Sequence, residues 1–368
     1  MAGFRLRVVS CAALLAAFGA LSACGGGNGN TAGTAGSVDT SKSCKQQFNP
    51  DKAAAGNDCS PTYGQYCTNT AGTPIINAQT VTACDGVTVN SGSVTAGSLT
   101  SNYVVAAPTN AAADSPIYIA LHWSEGNGPT LINRMRLTEL AKGRGVTVVA
   151  PTAPGPVQSW GGTGSLVPTT SVADRVALID ALVTQLTSAG GKAASGRPVI
   201  VAGDSGGGEM AFEYACAHAD RISGALFVAA SITPSDLSSC KPSAPFASVQ
   251  VHGTNDLVAP YSPTPGLSAG SVETFQALYA NNGCDASKIK SATLPPASSD
   301  AGISGYQVQW VTGCTSGFGN ALVTVQGGGH NWPGFDDALG LPIDIYGPIG
   351  EGFDATLQGY DLLRYLGG

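Results

Sequence analysis

The sequence predicts an α/β domain built on a mostly parallel sheet with helices on both faces. Three observations carry that expectation. From about residue 103, short and continuously apolar runs alternate with amphipathic stretches, the pattern of strands buried on both sides. Most runs are separated by enough chain for a crossover helix, which parallel neighbours require. Chemically reactive residues fall just after three of the runs, where open α/β sheets gather their functional groups.

The strand candidates, in order, are Tyr103–Ala107, Ile117–His122, Val146–Pro151, Pro198–Gly203, Phe246–His252, Gln307–Val311 and Leu322–Val325. Helices are expected at Leu131–Lys142, Ser171–Ser188, Gly207–His218, Val272–Asn281 and Ala355–Leu366. In the second of these, Val172, Val176, Ile179, Leu182, Val183 and Leu186 recur at helical spacing and make one apolar face. No internal repeat is evident, and no second globular domain is expected after the last helix.

Ahead of this domain the chain reads differently. Arg5 and Arg7 precede an apolar stretch from Val8 to Leu21, too short for a membrane span and suited to a signal peptide over residues 1–23. Leu21-Ser22-Ala23-Cys24 resembles the lipobox of bacterial lipoproteins, in which Cys24 would be lipidated and become the new N-terminus. The plainer reading is an ordinary signal cut after small residues, with Cys24 incidental. Residues 24–40 are rich in Gly, Asn, Thr and Ala and read as a flexible tether. Residues 41–84 form a Cys-rich segment of open role, and 85–368 the main domain.

The net charge is −7, with only 11% charged residues. Loss of the leader removes two arginines and no acid, leaving the chain more acidic still. With no Lys/Arg cluster, nucleic acid and anionic lipid headgroups are poor partners. Of ten cysteines, Cys11 falls in the leader and Cys24 in the lipobox, leaving eight. An even number in an exported chain reads as disulfides, whose connectivity the sequence leaves open. No CxxC pair suggests zinc, so neither a metal nor an organic cofactor is expected.

The reactive residues come in the chain order Ser, Asp, His. The run Pro198–Gly203 leads into Asp204-Ser205-Gly206-Gly207-Gly208 and a helix. A serine hydroxyl is a weak nucleophile that must be exposed and aimed at a base, and a strained strand-to-helix turn with glycines two residues either side does this. With 50 glycines the pattern alone is weak, and a second match exists at Gly266-Leu267-Ser268-Ala269-Gly270. Ser268 lacks a preceding strand, because Pro260, Pro263 and Pro265 cannot sit in a central one. Asp256, four residues past His252, is placed to orient a histidine, or else to cap its own loop as an Asx turn. His330 follows the last strand in a Gly-rich run and is the expected base. His218 reads as a surface or cap residue, His252 as a buried structural histidine, and His122 as part of an early loop ahead of the nucleophile.

From about Cys84 onward the chain resembles the polyhydroxybutyrate depolymerase/feruloyl esterase family of α/β-hydrolases. The matching stretches are ALHWSEG (120–126), VAPTAP (149–154), GDSGGGEMA (203–211), HGTNDLVAPY (252–261), NNGC (281–284) and GGGHNWPG (327–334). The resemblance implies a Ser205–Asp256–His330 triad, disulfides Cys216–Cys240 and Cys284–Cys314, and a serine esterase. The oxyanion donors it implies are the backbone N–H of Gly206 and that of Ser124 or Trp123. The family usually has His-Gly where this chain has His122-Trp123, and an apolar residue in place of Asp204. Trp160 and Trp332 could line an acyl or aromatic pocket, or simply pack in the core.

The substrate class expected is a short-chain or oligomeric hydroxyalkanoate ester, with the enzyme exported and held by lipid at the cell envelope. The stretch after His330 suffices for a loop and one closing helix, without a further polymer-binding domain. Feruloyl or acetyl-xylan ester hydrolysis is the alternative chemistry. A non-catalytic surface binding protein is the alternative class, disfavoured by the presence of all three reactive residues.

Overall fold

A computed structural model describes residues 48–54, 80–161, 170–187, 196–334 and 346–368. The expected leader, Cys24, the tether, and Cys44, Cys59 and Cys67 lie outside the described residues. All described residues fall within one compact unit, Ser41–Gly368.

Ten strands form one sheet in the order β1-β2-β4-β3-β5-β6-β7-β10-β9-β8. They are β1 (Val87–Ala96), β2 (Leu99–Pro108), β3 (Ile117–Leu121), β4 (Thr147–Pro151), β5 (Val199–Asp204), β6 (Gly224–Val228), β7 (Ala247–Gly253), β8 (Lys290–Leu294), β9 (Gly305–Val311) and β10 (Asn320–Gln326). The six central strands, β4-β3-β5-β6-β7-β10, run parallel. Antiparallel pairs close both sides, β1/β2 against β4 and β9/β8 against β10.

The described helices are α1 (Pro50–Ala54), α2 (Gly128–Arg134), α3 (Leu137–Arg144), α4 (Val172–Thr187), α5 (Gly206–Ala217), α6 (Pro234–Ser239), α7 (Ser271–Asn281) and α8 (Leu357–Tyr365). Strand β3 explains why they divide between two faces. Its alternating side chains send Tyr118 and Ala120 to one core with Leu131, Leu137, Leu140 and Leu362. Ile117, Ile119 and Leu121 go to the other core, with Leu178, Leu182, Met210 and Phe212. A strand buried on both sides must be apolar throughout, as the central runs are.

Three differences from the sequence expectation have physical causes. The helix expected at Leu131–Lys142 is two helices, because Arg136 takes a left-handed conformation at φ 54° and restarts the chain as the N-cap of α3. Its guanidinium grips Glu139 in the first turn of α3. Strands β1 and β8 were not expected, since they lie at the sheet's edges and alternate exposed polar residues with few apolar ones. Strand β6, GALFV, is fully buried and was not expected; it is no shorter than β3 or β4, but it runs on into Ala229 and Ala230 with no turn residue to mark its end.

Cys216 is joined to Cys240 and Cys284 to Cys314. Cys84 is also disulfide-bonded. The described start of the chain is fastened to its last helix. Asp361 of α8 accepts the Phe48 N–H at 2.8 Å while holding the Arg144 fork at 2.6 and 2.7 Å. No described helix is long and apolar enough to cross a membrane.

Candidate active site

Three loops at the carboxyl ends of β5, β7 and β10 converge. Strand β5 passes into α5 through Ser205 alone, whose backbone sits at φ 53°, ψ −122°. A non-glycine residue there stores of order 1–3 kcal/mol of strain, so the surroundings must hold it. They do so by donation of the Ser205 N–H to Val228 O of β6 at 2.9 Å, and by the tight approach of Gly203 and Gly207. The turn thrusts the hydroxyl above the sheet edge, and Ser205 remains partly exposed.

Ser205 Oγ lies 2.8 Å from His330 Nε2, and His330 Nδ1 lies 2.8 Å from Asp256 Oδ2. The structure thus brings together the three residues singled out in the sequence. His330 is carried by the loop after β10, where its N–H donates to Tyr346 O at 2.6 Å and the Tyr346 ring leans over it at 6.3 Å between ring centres. Asn331 ties the same loop down by donating to Tyr346 O and Gly347 O. Asp256 fills both of the roles the sequence left open. Its Oδ1 accepts the N–H groups of Val258 and Ala259, capping its own loop, and its Oδ2 faces the histidine.

The electrostatics follow from burial and pairing. Burial pushes the Asp256 carboxyl up, but hydrogen bonds from His252 and His330 and the charges of both rings outweigh it and hold it well below the usual carboxylate range. Burial pulls His330 down, yet its hydrogen bond to Asp256 and the negative charges of Asp256, Asp204 and Glu209 leave it above the ordinary histidine value. Asp204, beside Ser205, is pushed up to about 6 by burial, against the pull of His330 and Arg134.

At the head of the site Gly206 is the first residue of α5, so its N–H has no acceptor within the helix and lies at the positive end of the helix dipole. The loop after β3 runs alongside. Ser124 Oγ lies 3.0 Å from where a Cβ on Gly206 would stand, and it pairs with Ser159 Oγ at 2.8 Å. Trp123 is half-buried under the Arg134 guanidinium, 4.7 Å from its ring centre. His122 is fully buried, with Nδ1 toward Trp123 O at 2.6 Å and Nε2 accepting the Ala153 N–H at 3.0 Å. Burial holds it at about 4, a neutral strut that shapes this loop.

The two candidate pocket tryptophans are placed elsewhere. Trp160 is completely buried, its ring 6.0 Å from that of His122. Trp332 is also core, its Nε1 donating to Thr356 Oγ1 at 3.0 Å. Neither presents surface to a ligand; proximity in sequence to a reactive residue says nothing of which way a side chain points. Ser268, the second serine of the repeated pattern, is buried and accepts the Gly270 N–H, a turn-forming contact. Sequence reasoning missed Tyr346 and Ser159, which carry no motif. His252 was read as buried and hydrogen-bonded, which it is, but not as a partner of Asp256. Among the described residues no cluster of His, Cys, Asp and Glu could hold a metal ion.

No family model matches the chain. It is similar to a curated protein of Nocardia uniformis subsp. tsuyamanensis, "Putative esterase NocK", with 27% identity over 236 residues, covering 60% of this chain and 66% of that protein. The chain therefore spans just under two thirds of that relative's length. Among solved structures it is similar to an acetyl xylan esterase from Aspergillus awamori, with 17% identity, 70% of this chain and 99% of that one covered, and a TM-score of 0.48. It is also similar to the feruloyl esterase module from Clostridium thermocellum, with 13% identity, 68% and 85% covered, and a TM-score of 0.46. With a strained elbow after β5, an acid loop after β7 and a histidine loop after β10, the chain has the α/β-hydrolase fold.

Proposed function

We propose that this protein is a serine ester hydrolase with Ser205 as nucleophile, His330 as general base and acid, and Asp256 as the group that orients and charges the histidine. The single observation that carries this reading is the unbroken line from Ser205 Oγ through both ring nitrogens of His330 to Asp256 Oδ2, each link at 2.8 Å. The relative from Nocardia uniformis carries the name "Putative esterase NocK", which agrees.

In this reading His330 Nε2 takes the Ser205 proton as Oγ attacks the ester carbonyl. The Gly206 N–H, with a backbone N–H from Ser124 or Trp123, receives the negative oxygen of the tetrahedral intermediate. Collapse expels the alcohol, which leaves with the proton held by His330. A water then gives its proton to the same nitrogen, attacks the acyl carbon, and frees the acid as Ser205 recovers its hydrogen. The substrate we assign is a short-chain or oligomeric hydroxyalkanoate ester. The chain works outside the cytoplasm, anchored through lipid on Cys24.

A fluorophosphonate probe tests the chemistry, since it reacts only with an activated serine. Labelling of Ser205, abolished in Ser205→Ala, is expected; an unlabelled folded protein leaves a binding role instead. Hydroxybutyrate oligomers, p-nitrophenyl butyrate and crystalline polyester film at matched ester content test the substrate. Film cleared faster than oligomers are cut overturns the assignment. Mass spectrometry of the mature protein tests the anchor, and an unmodified N-terminus away from Cys24 removes it.

A further inference from the structure

His252 is the penultimate residue of β7, beside the acid loop, with only 2% of its surface exposed. Both ring nitrogens are engaged. Nε2 lies 2.7 Å from Ala259 O and 3.2 Å from Asp256 Oδ2. A carbonyl and a carboxylate only accept, so this nitrogen carries a hydrogen. Nδ1 lies 2.9 Å from Ser271 Oγ at the start of α7. The oxygen that His252 reaches is the same one that receives His330 Nδ1. One carboxylate oxygen thus serves two imidazoles, while the other is filled by two backbone N–H groups.

We propose that His252 is a positioning residue of the site: its Nε2–H, shared between Ala259 O and Asp256 Oδ2, holds the carboxylate against His330 and draws part of its charge away from that ring. The kinetic consequence rests on the esterase reading above; the electrostatic one does not. Around His330 stand Asp256 from the β7 loop, Asp204 at the end of β5, Glu209 of α5, the Ser205 hydroxyl and the Tyr346 ring. Asp204 is in turn faced by Arg134 of α2. Around His252 stand Asp256, the Ser271 hydroxyl and Tyr261, whose ring meets it edge-on at 5.8 Å and whose hydroxyl pairs with Thr324 of β10. Among these, His252 alone donates to the oxygen that His330 uses.

The sign follows. A donor on Oδ2 stabilises the carboxylate and spends part of its field on a second ring. With the donor gone, the whole charge faces His330 and favours its protonated form. The neutral base is then recovered only at higher pH. A purely structural role for His252 would lower melting temperature without moving that midpoint.

The test is the titration midpoint of His330, read by NMR of its ring, in the full protein carrying His252→Phe, His252→Gln or Ser271→Ala. The phenyl ring donates nothing, whereas the glutamine amide can reach the same oxygen. His252→Phe is expected to raise the midpoint by about one pH unit, the scale of one charge-assisted hydrogen bond. kcat should fall about tenfold, the scale of one charge-assisted hydrogen bond lost from the positioning of the base. His252→Gln should stay near the wild type, and Ser271→Ala, which frees Nδ1, should move the midpoint slightly upward. A folded His252→Phe with an unmoved midpoint overturns the proposal, as does His252→Gln shifting equally. If His252→Phe does not fold, an unmoved midpoint in Ser271→Ala overturns it. Absence of ester turnover in the wild type would refute the esterase reading, while the midpoints would still decide this one.

Discussion

Gly207 is pressed against Leu121: a Cβ on Gly207 would lie 2.1 Å from the Leu121 carbonyl oxygen at the end of β3. No L side chain fits, and the obstacle is backbone that cannot swing aside. Gly203 faces the same limit from the other side, where a Cβ would stand 2.1 Å from Gly207 O. The elbow is thus built by contact between two main chains.

The first prediction is that Gly207→Ala lowers stability by about 1–3 kcal/mol or more, the usual cost of overpacking, and displaces the loop carrying Trp123 and Ser124. Turnover should fall with it. Gly145→Ala is the control. Gly145 has φ 67° but open space around it, so only the left-handed backbone is strained, at about 1 kcal/mol, and turnover should be unchanged. Thermal melting and ester turnover of the two variants check this.

Ser205→Ala should melt like the wild type and lose turnover by about six orders of magnitude, the scale seen when a triad nucleophile is removed. Ser268→Ala should keep turnover, with at most a small stability loss from the missing bond to Gly270. An inactive Ser268→Ala beside an active Ser205→Ala would move the nucleophile elsewhere.

How far the sequence anticipated this site depended on where each residue gets its partners. Ser205, Asp256 and His330 each follow a central strand, and strands buried on both faces announce themselves as apolar runs. The residues around them were harder. Arg136 breaks a helix by its backbone alone, and nothing in Met135-Arg136-Leu137 encodes that. Tyr346 reaches His330 through a backbone carbonyl, which every residue possesses. The role of His252 depends on a bond to a residue four positions on, across a turn, so its chemistry appears only once the turn is closed.

The pH dependence has a definite sign. As the proposed base, His330 must be neutral to take the serine proton, and its negative neighbours hold it above the ordinary value of 6.5. The acid limb of kcat/KM should therefore lie above pH 6.5, with activity rising as pH rises through it. In Asp256→Asn the pull of the carboxylate is gone, so the limb should move to lower pH. Turnover should drop about ten-thousandfold, because the amide no longer fixes the tautomer. Rate profiles on a soluble ester check both, and a limb unmoved in Asp256→Asn would contradict the assigned cause.

The buried pair Arg144–Asp361 gives a prediction far from the chemistry. Their side chains are only 5% and 1% exposed, so neither charge has water to fall back on. Arg144→Met should cost about 3–5 kcal/mol by stranding the carboxylate. Arg144→Met combined with Asp361→Leu should melt higher than Arg144→Met alone, because no charge is left buried without its partner. Denaturant melts of the two variants compare them directly.

The contact between Ser205 and His330 joins residues 125 positions apart, and that between His330 and Asp256 joins residues 74 apart. Neither can form until β10 has found its place beside β7. Long-range pairing of this kind is slow, since the entropy of closing the intervening chain is lost before the contacts form. During refolding, helix signal should therefore return well before turnover does. Recovered activity then serves as a clock for the last step of assembly, the seating of the strand that carries the histidine.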